Sequence, residues 1–285
     1  MPDPLLFDSH MHTPLCKHAE GEPLEYVDRA AKVGLKGVVF TCHSPMPDRF
    51  SHAVRMEPGQ FYEYVAMVEH ARENAPDGFE VRLGLESDWF PGMEGWLEEL
   101  HASEDFHYLL GSVHWHIPEY LDRFWNHDIK AFQQIYFDHL AESAETGLFD
   151  CLSHPDLVKN ASPDDWNFNE MRDTIIASLD RIAKTGVAME LNTSGQYKGI
   201  PENNPGPEML ALIHELRIPV VLGSDSHTPI RVGDSFHRAL DQLEEIGFET
   251  VAVFKDRKRE DLPIESVRDS LIGRKRGENP AAALV

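Results

Sequence analysis

The 285-residue chain predicts an α/β fold in which parallel strands and helices alternate around a closed barrel of seven or eight strands. Three observations predict it. Short apolar runs, the pattern of buried strands, alternate with amphipathic stretches of helical period. Nearly every apolar run ends in a histidine or an acid. No glycine-rich phosphate loop follows the first run, which disfavours an open doubly wound sheet. Side chains at the C-terminal ends of barrel strands meet at one face. These residues therefore predict one shared site, and their types predict several metal ions.

The elements follow in order. Residues 5–7 form the first expected strand, which runs into Asp8, Ser9, His10, Met11 and His12. Residues 22–33 predict a helix with Leu24, Val27, Ala31 and Val33 along one side. The second strand, 37–40, ends at Thr41, Cys42 and His43. A second helix covers 58–74, with Phe61, Val65, Val68 and Ala71 as its apolar side. The third strand, 81–85, runs into Glu86, and the fourth, 108–113, into His114. Residues 115–128 read as an irregular lid or pocket wall. A long helix over 129–146 stops at Gly147, since glycine just past a helix is a stop signal. The fifth strand, 150–153, runs into His154, and a helix over 163–185 closes at Gly186. The sixth strand, 187–191, precedes a helix over 208–216. The seventh, 219–222, runs through Gly223 and Ser224 into Asp225, Ser226 and His227. A helix over 236–246 closes at Gly247, and 250–254 is a candidate eighth strand. Residues 273–285 predict an exposed, mobile tail. One domain spans 1–285.

Composition narrows the function. The formal net charge is −23, from 26 basic and 49 acidic residues. Such a field repels nucleic acid and anionic membranes, and it repels a phosphorylated substrate unless bound cations reverse its sign locally. No apolar run approaches the ~18 residues of a membrane span. The opening Met1, Pro2, Asp3, Pro4 lacks the basic and apolar regions of a signal peptide, so a cytoplasmic protein is expected. The 3 cysteines, Cys16, Cys42 and Cys151, are widely spaced and form no CxxC pair, which disfavours a disulfide framework and a zinc knuckle. The sequence carries no signal of oligomeric state.

His10 and His12 stand two apart on an extended chain, so their imidazoles point the same way and can grip one ion. Asp225 and His227 repeat that spacing. Glu86 carries two oxygens and can bridge two cations, and His18 lies in the loop after the first strand. In a chain with 16 histidines a single one reads most simply as a surface residue. Nine candidates at strand ends do not read that way. His70, His139, His214 and His237 fit helix surfaces, and His116, two residues from His114, is within reach of the pocket.

The stretch Asp8-Ser9-His10-Met11-His12-Thr13-Pro14-Leu15-Cys16-Lys17-His18-Ala19 resembles the opening motif of the polymerase-and-histidinol-phosphatase (PHP) superfamily. Thr41-Cys42-His43-Ser44-Pro45-Met46-Pro47, Gly84-Leu85-Glu86, Gly111-Ser112-Val113-His114, Ser153-His154-Pro155-Asp156 and Gly223-Ser224-Asp225-Ser226-His227 resemble its later motifs, in order. The similarity runs from residue 5 to residue 255 and is nearest to the monofunctional histidinol-phosphate phosphatases. It implies a distorted (β/α)7 TIM-like barrel with three divalent ions, of zinc, iron or manganese, at the C-terminal face. By position it implies one ion on His10, His12, Glu86 and Asp225. A second would share Glu86 with His114 and His154, and a third would take His18, His43 and His227. Cys42 stands where the family commonly has an aspartate that can orient an imidazole, which bears on the third ion.

The chemistry expected of such a site is hydrolysis of a phosphate monoester by in-line attack of a metal-bridging hydroxide. Asp225 is expected to orient or deprotonate the water, His227 to assist the leaving alkoxide, and Glu86 to bridge. The resemblance also implies basic residues near Lys159 and Lys198 that meet substrate phosphate, with Arg55 and Arg231 as further candidates. Glu190, Asn192 and Asp156 are candidates for reading the imidazole and amino ends. The implied reaction converts L-histidinol phosphate to L-histidinol and phosphate in histidine biosynthesis. Two other readings are a phosphoesterase for nucleotides or other small phosphate esters, and a metal-binding barrel without turnover. The second of these is disfavoured, because no ligand position is lost.

Overall fold

The computed structural model describes residues 6–271. Along the chain it orders β1 (Phe7–Asp8), α1 (Pro23–Lys32), β2 (Gly37–Phe40), α2 (Phe61–Glu73), β3 (Glu80–Asp88), α3 (Glu94–His101), β4 (Tyr108–Ser112), α4 (Pro118–Phe124) and α5 (Ile129–Glu145). There follow β5 (Cys151–Leu152), α6 (Phe168–Ala183), β6 (Ala188–Asn192), α7 (Pro207–Glu215), β7 (Val220–Gly223), α8 (Phe236–Ile246), β8 (Thr250–Lys255), β9 (Lys258–Pro263) and α9 (Ile264–Arg268).

Strands β1 to β7 pair in sequence order, each parallel to the next. The ring closes between the first and the last. Ser9 N–H donates to Leu222 O at 3.2 Å, and Met11 bridges to Ser226 in parallel. Every residue of β2, β4 and β7 is buried, as a parallel sheet covered by helices requires. Tyr64 on α2 shows how the helices attach: its hydroxyl lies 2.8 Å from the carbonyls of both Phe40 and Gly84. Helix starts are set locally. Glu22 and Glu25 form a capping box ahead of α1, and Asp128 and Asn167 cap α5 and α6 with their side chains.

The candidate eighth strand is not a barrel stave. It meets β7 at one position, Val221 opposite Ala252, and leaves with β9 as an antiparallel hairpin. Arg82 donates to Phe254 O at 2.6 Å, Arg257 N–H donates to His107 O at 3.0 Å, and Arg257 Nε lies 3.1 Å from Asp150. His107 and Asp150 directly precede β4 and β5, so the hairpin covers the N-terminal end of the barrel and leaves the C-terminal end open.

Other expectations shift. The stretch 115–128 contains α4, which Pro118 opens in the first turn, where its missing N–H is harmless, and whose Tyr120 is buried. The helix expected over 163–185 is shorter, because Pro163–Asp165 forms a separate 3-10 turn. Helix α3 carries no clear sequence signal. His139 is not on a helix surface: it is buried, its Nδ1 2.8 Å from Tyr120 OH and its ring 4.5 Å from that of Phe124. Leu5 and the tail 273–285 lie outside the described residues. No described helix is long and apolar enough to cross a membrane.

Candidate metal centre

The C-terminal end of the barrel brings all nine expected ligands into one cluster. Glu86 lies at its middle, inside β3 rather than after it. Its Oε2 is 2.8 Å from His43 Nδ1, 3.4 Å from His10 Nε2 and 3.7 Å from His12 Nε2. Its Oε1 is 3.2 Å from His154 Nε2 and 3.5 Å from His114 Nε2. Asp225 Oδ1 lies 3.2 Å from His12 Nε2 and 3.5 Å from His227 Nδ1. The His18 ring is 4.5 Å from that of His227 and 5.4 Å from that of His43.

Donor atoms within 4.8 Å of one another form several groups of three: His10, His12 and Glu86; His43, Glu86 and His114; His12, His43 and His227; Cys16, His18 and His227; and His12, Cys16 and Cys42. The trio expected for the third ion is thus divided. His18 turns its Nδ1 to Cys16 O at 2.7 Å, and His43 lies closer to Glu86. Cys42 stands behind His12 rather than beside His43, with Thr13 Oγ1 and N donating to its sulfur at 3.2 and 3.4 Å. Its departure from the family pattern therefore bears on His12.

Buried carboxylates hold the expected ligands in place. Glu190 Oε1 lies 2.7 Å from His10 Nδ1, and its Oε2 accepts from the His154 backbone N–H at 2.8 Å. Asp8 accepts from the N–H groups of Ser224 and Gly233 at 3.0 and 2.9 Å and of His10 at 3.3 Å. Asp88 binds His114 Nδ1. Ser112 Oγ donates to Glu86 Oε1 at 2.6 Å. A Cβ at position 223 would overlap Glu190 Oε1, which explains the glycine there. His154 and Asp225 have φ of 23° and 51°, a region that non-glycine residues enter at a cost of about 1–3 kcal/mol and that clusters at functional sites.

The carboxylates decide where charge is tolerated. Burial opposes a proton on His10, yet Glu190, Glu86 and Asp225 hold its pKa well above the ordinary 6.5. Burial opposes it on His12 too, but the bond to Asp225, the Cys42 sulfur and Glu86 raise its pKa to about 9. At His227 burial and the charge on His12 lower it to about 3. Burial works against ionised Glu86, but His43, His10 and His114 keep its pKa well below the usual carboxylate range. His10 Nε2, Glu86 Oε2 and His227 Nε2 are buried without an aligned hydrogen bond. Imidazole nitrogens and carboxylate oxygens left over in this way fit divalent cations of the zinc, iron and manganese kind.

A cavity of about 310 Å³ opens over the cluster, and Trp115, His116, Leu157, Asn160 and Lys198 complete its wall. Trp115 and His116 belong to the stretch read as a pocket wall; Leu157 and Asn160 carry no sequence signal of that role. Of the four cations expected to meet substrate, Lys198 alone lines this cavity, its Nζ 3.7 Å from Asp225 Oδ2. Lys159 is wholly buried and gives its three hydrogens to Asp156 Oδ2 (2.9 Å), Glu202 Oε1 (2.8 Å) and Asn203 O (3.1 Å). Arg55 is buried against Asp88 and Ser44 O. Arg231 pairs with Asp234 at 2.8 Å and covers the Tyr197 ring. Their partners are protein groups, so the structure does not bring these three to the substrate space. Nor do the candidate readers of the imidazole and amino ends reach it. Glu190 is spent on His10 and His154, Asn192 on Ser194 N–H at 2.9 Å, and Asp156 on Asn204 and Gly206 at 2.6 and 2.8 Å.

The PHP domain family profile matches residues 8–194. The chain is 37% identical over 261 residues to a probable histidinol-phosphatase of Deinococcus radiodurans, covering 89% of this chain and 98% of that protein. It is 24% identical over 265 residues to the histidinol-phosphatase of Bacillus subtilis, covering 82% of this chain and 98% of the relative. Among solved structures, the histidinol phosphate phosphatase of Lactococcus lactis, complexed with zinc, L-histidinol and phosphate, superposes with a TM-score of 0.73 at 21% identity, covering 90% of this chain and 98% of the other.

Proposed function

This chain belongs to the PHP domain family, and on that premise we propose that it is a metal-dependent phosphomonoesterase of the cytoplasm that hydrolyses L-histidinol phosphate to L-histidinol and phosphate. One observation carries the reading. The two oxygens of Glu86 divide the cluster, Oε2 toward His10, His12 and His43 and Oε1 toward His114 and His154, which is the arrangement a carboxylate needs to bridge two cations. His10, His12, Glu86 and Asp225 would hold one ion and Glu86, His114 and His154 a second; His227, which shares one donor group with His18 and another with His43, would anchor a third. When bound, such cations supply a water that ionises near neutral pH and positive charge for the phosphoryl oxygens.

The protein's own groups do the rest. Asp225 is anchored by Ser194 Oγ, which donates to its Oδ2 at 2.9 Å, so the carboxylate is fixed where it can orient the attacking water. Lys198, beside it at the cavity wall, offers the phosphate a counter-charge. His227, its Nδ1 3.5 Å from Asp225 Oδ1, would assist the leaving alkoxide directly or through a bound cation. A cavity of about 310 Å³ fits a small ester. The names of the relatives, and the L-histidinol and phosphate in the Lactococcus enzyme, favour histidinol phosphate as that ester. The test is phosphate release by purified protein loaded with zinc or manganese, across histidinol phosphate, nucleotides and other small phosphomonoesters at fixed salt. Turnover of histidinol phosphate far above the rest is expected. Metal-replete protein that ignores it and cleaves a nucleotide would overturn the substrate.

A further inference from the structure

Asp88 ends β3 two residues after Glu86, so both side chains leave the strand on the same side. Its carboxyl is 1% exposed, with Oδ1 on His114 Nδ1 and Oδ2 on Arg55 Nη2. Arg55 is buried as well, and its Nη1 donates to Ser44 O at 3.0 Å. Ser44 follows His43, and its N–H donates to Glu86 O at 2.8 Å. One line of contacts therefore joins the ligand loops after β2 and β4 through the end of β3.

We propose that Asp88 and Arg55 are a positioning pair for the ion shared by Glu86, His114 and His154: Asp88 fixes the His114 imidazole, and Arg55 holds Asp88 against it. The proposal deepens the function above and rests on the reading of His114 as a ligand. An imidazole that gives the hydrogen on one nitrogen to an acceptor keeps the lone pair on the other. An acceptor at Nδ1 thus leaves His114 Nε2, which faces Glu86 Oε1 at 3.5 Å, free to bind a cation. An unrestrained aspartate would be free to swing off the ring and leave Nδ1 without its acceptor. Arg55 prevents that by taking its second oxygen. Guanidinium suits the task because it stays charged when buried and its planar fork reaches two acceptors, here Asp88 and Ser44 O. Neither side chain is among those that line the cavity, so substrate contact is not their work.

The test compares Asp88→Asn, Arg55→Met and Arg55→Lys with a His114→Ala control, all as full-length protein loaded with zinc. Ion content is read by elemental analysis, zinc affinity by competition with a chromophoric chelator, and folding by thermal unfolding. D88N and R55M are expected to bind one zinc per chain about 10–100-fold more weakly and the others as before, with excess zinc restoring kcat. R55K, which keeps the charge, should recover part of that affinity. Parental zinc affinity in D88N and R55M, with or without a lower melting temperature, would overturn the proposal and leave a purely structural ion pair. If H114A loses no ion, the ligand reading fails first and takes the proposal with it. Should D88N not fold, the two Arg55 variants decide.

Discussion

Two sets of buried histidines share this barrel. His10, His12 and His114 lie at the open end; His101 and His139 lie in the wall. All are less than one-tenth exposed. At the mouth the ring nitrogens face carboxylates: Glu190 and Glu86 at His10, Asp225 at His12, Asp88 at His114. In the wall they face hydroxyls and aromatic rings. His101 Nε2 is 3.0 Å from Ser87 Oγ and its ring 5.8 Å from that of Phe149, and His139 packs on Tyr120 and Phe124. Burial opposes the proton in both sets; the carboxylates overcome it at His10, His12 and His114, whereas at His43 and His154, which also meet Glu86, burial and the neighbouring imidazoles prevail. The pKa of His12 rises to about 9, while burial lowers those of His101 and His139 to about 3 and about 4. Burial alone therefore does not mark a working histidine; the atom that each nitrogen meets does.

The largest expected effect breaks the mouth at its centre. Glu86→Ala should lower kcat by far more than the roughly 100-fold that loss of an outer partner costs, and should deplete two ions together. Elemental analysis beside the phosphate-release assay checks both. Depletion of a single ion would show that Glu86 does not bridge.

The two lysines carry the same contrast between open site and packed wall. Removing the Lys159 ammonium leaves Asp156 buried without its counter-charge, so Lys159→Met should lose about 3–5 kcal/mol of stability in denaturant unfolding. Its KM should stay near the parental value wherever it remains folded. Lys198→Ala should do the reverse: a KM for histidinol phosphate raised roughly tenfold, as loss of a charge-assisted hydrogen bond implies, with unfolding unchanged. A KM effect at Lys159 and none at Lys198 would exchange their roles.

The sequence showed the barrel and the mouth more clearly than the supports behind them, and the reason is physical. A parallel strand buried on both faces reads as an unbroken apolar run, so the first polar residue after it marks the C-terminal face, as at His114 and His154, and at Thr41, two residues ahead of His43. That rule stops β3 at Leu85, but the strand continues through Glu86, Ser87 and Asp88, and the partner of His114 is hidden in the excess. Spacing could have found it, since Glu86 and Asp88 are two apart. Arg55 and Lys159 are different. A cation in a loop reads the same whether it awaits a phosphate or is already neutralised by Asp88, 33 positions away, or by Glu202, 43 away. Only the fold pairs such residues. Helix α4 escaped because it is one of the shortest helices, at 7 residues, too few to show a period.

The smallest effect belongs to the wall, and its sign follows from proton binding. His139 has a pKa near 4 when folded and about 6.5 when exposed. Between those values the unfolded chain binds more protons, so the contribution of neutral His139 is fully present above pH 6.5 and fades as the pH falls toward 4. From pH 7.5 to 6 the loss from this one group is about 1 kcal/mol. Gln at position 139 cannot titrate and can still accept from Tyr120 OH, so H139Q should show an unfolding free energy that falls less steeply with acid than the parent's. The difference between the two curves isolates His139 from the other histidines, and zinc content should be equal in both proteins throughout. Parallel curves would mean that His139 holds its proton as readily folded as unfolded. Zinc lost from H139Q would mean that wall and mouth are not independent.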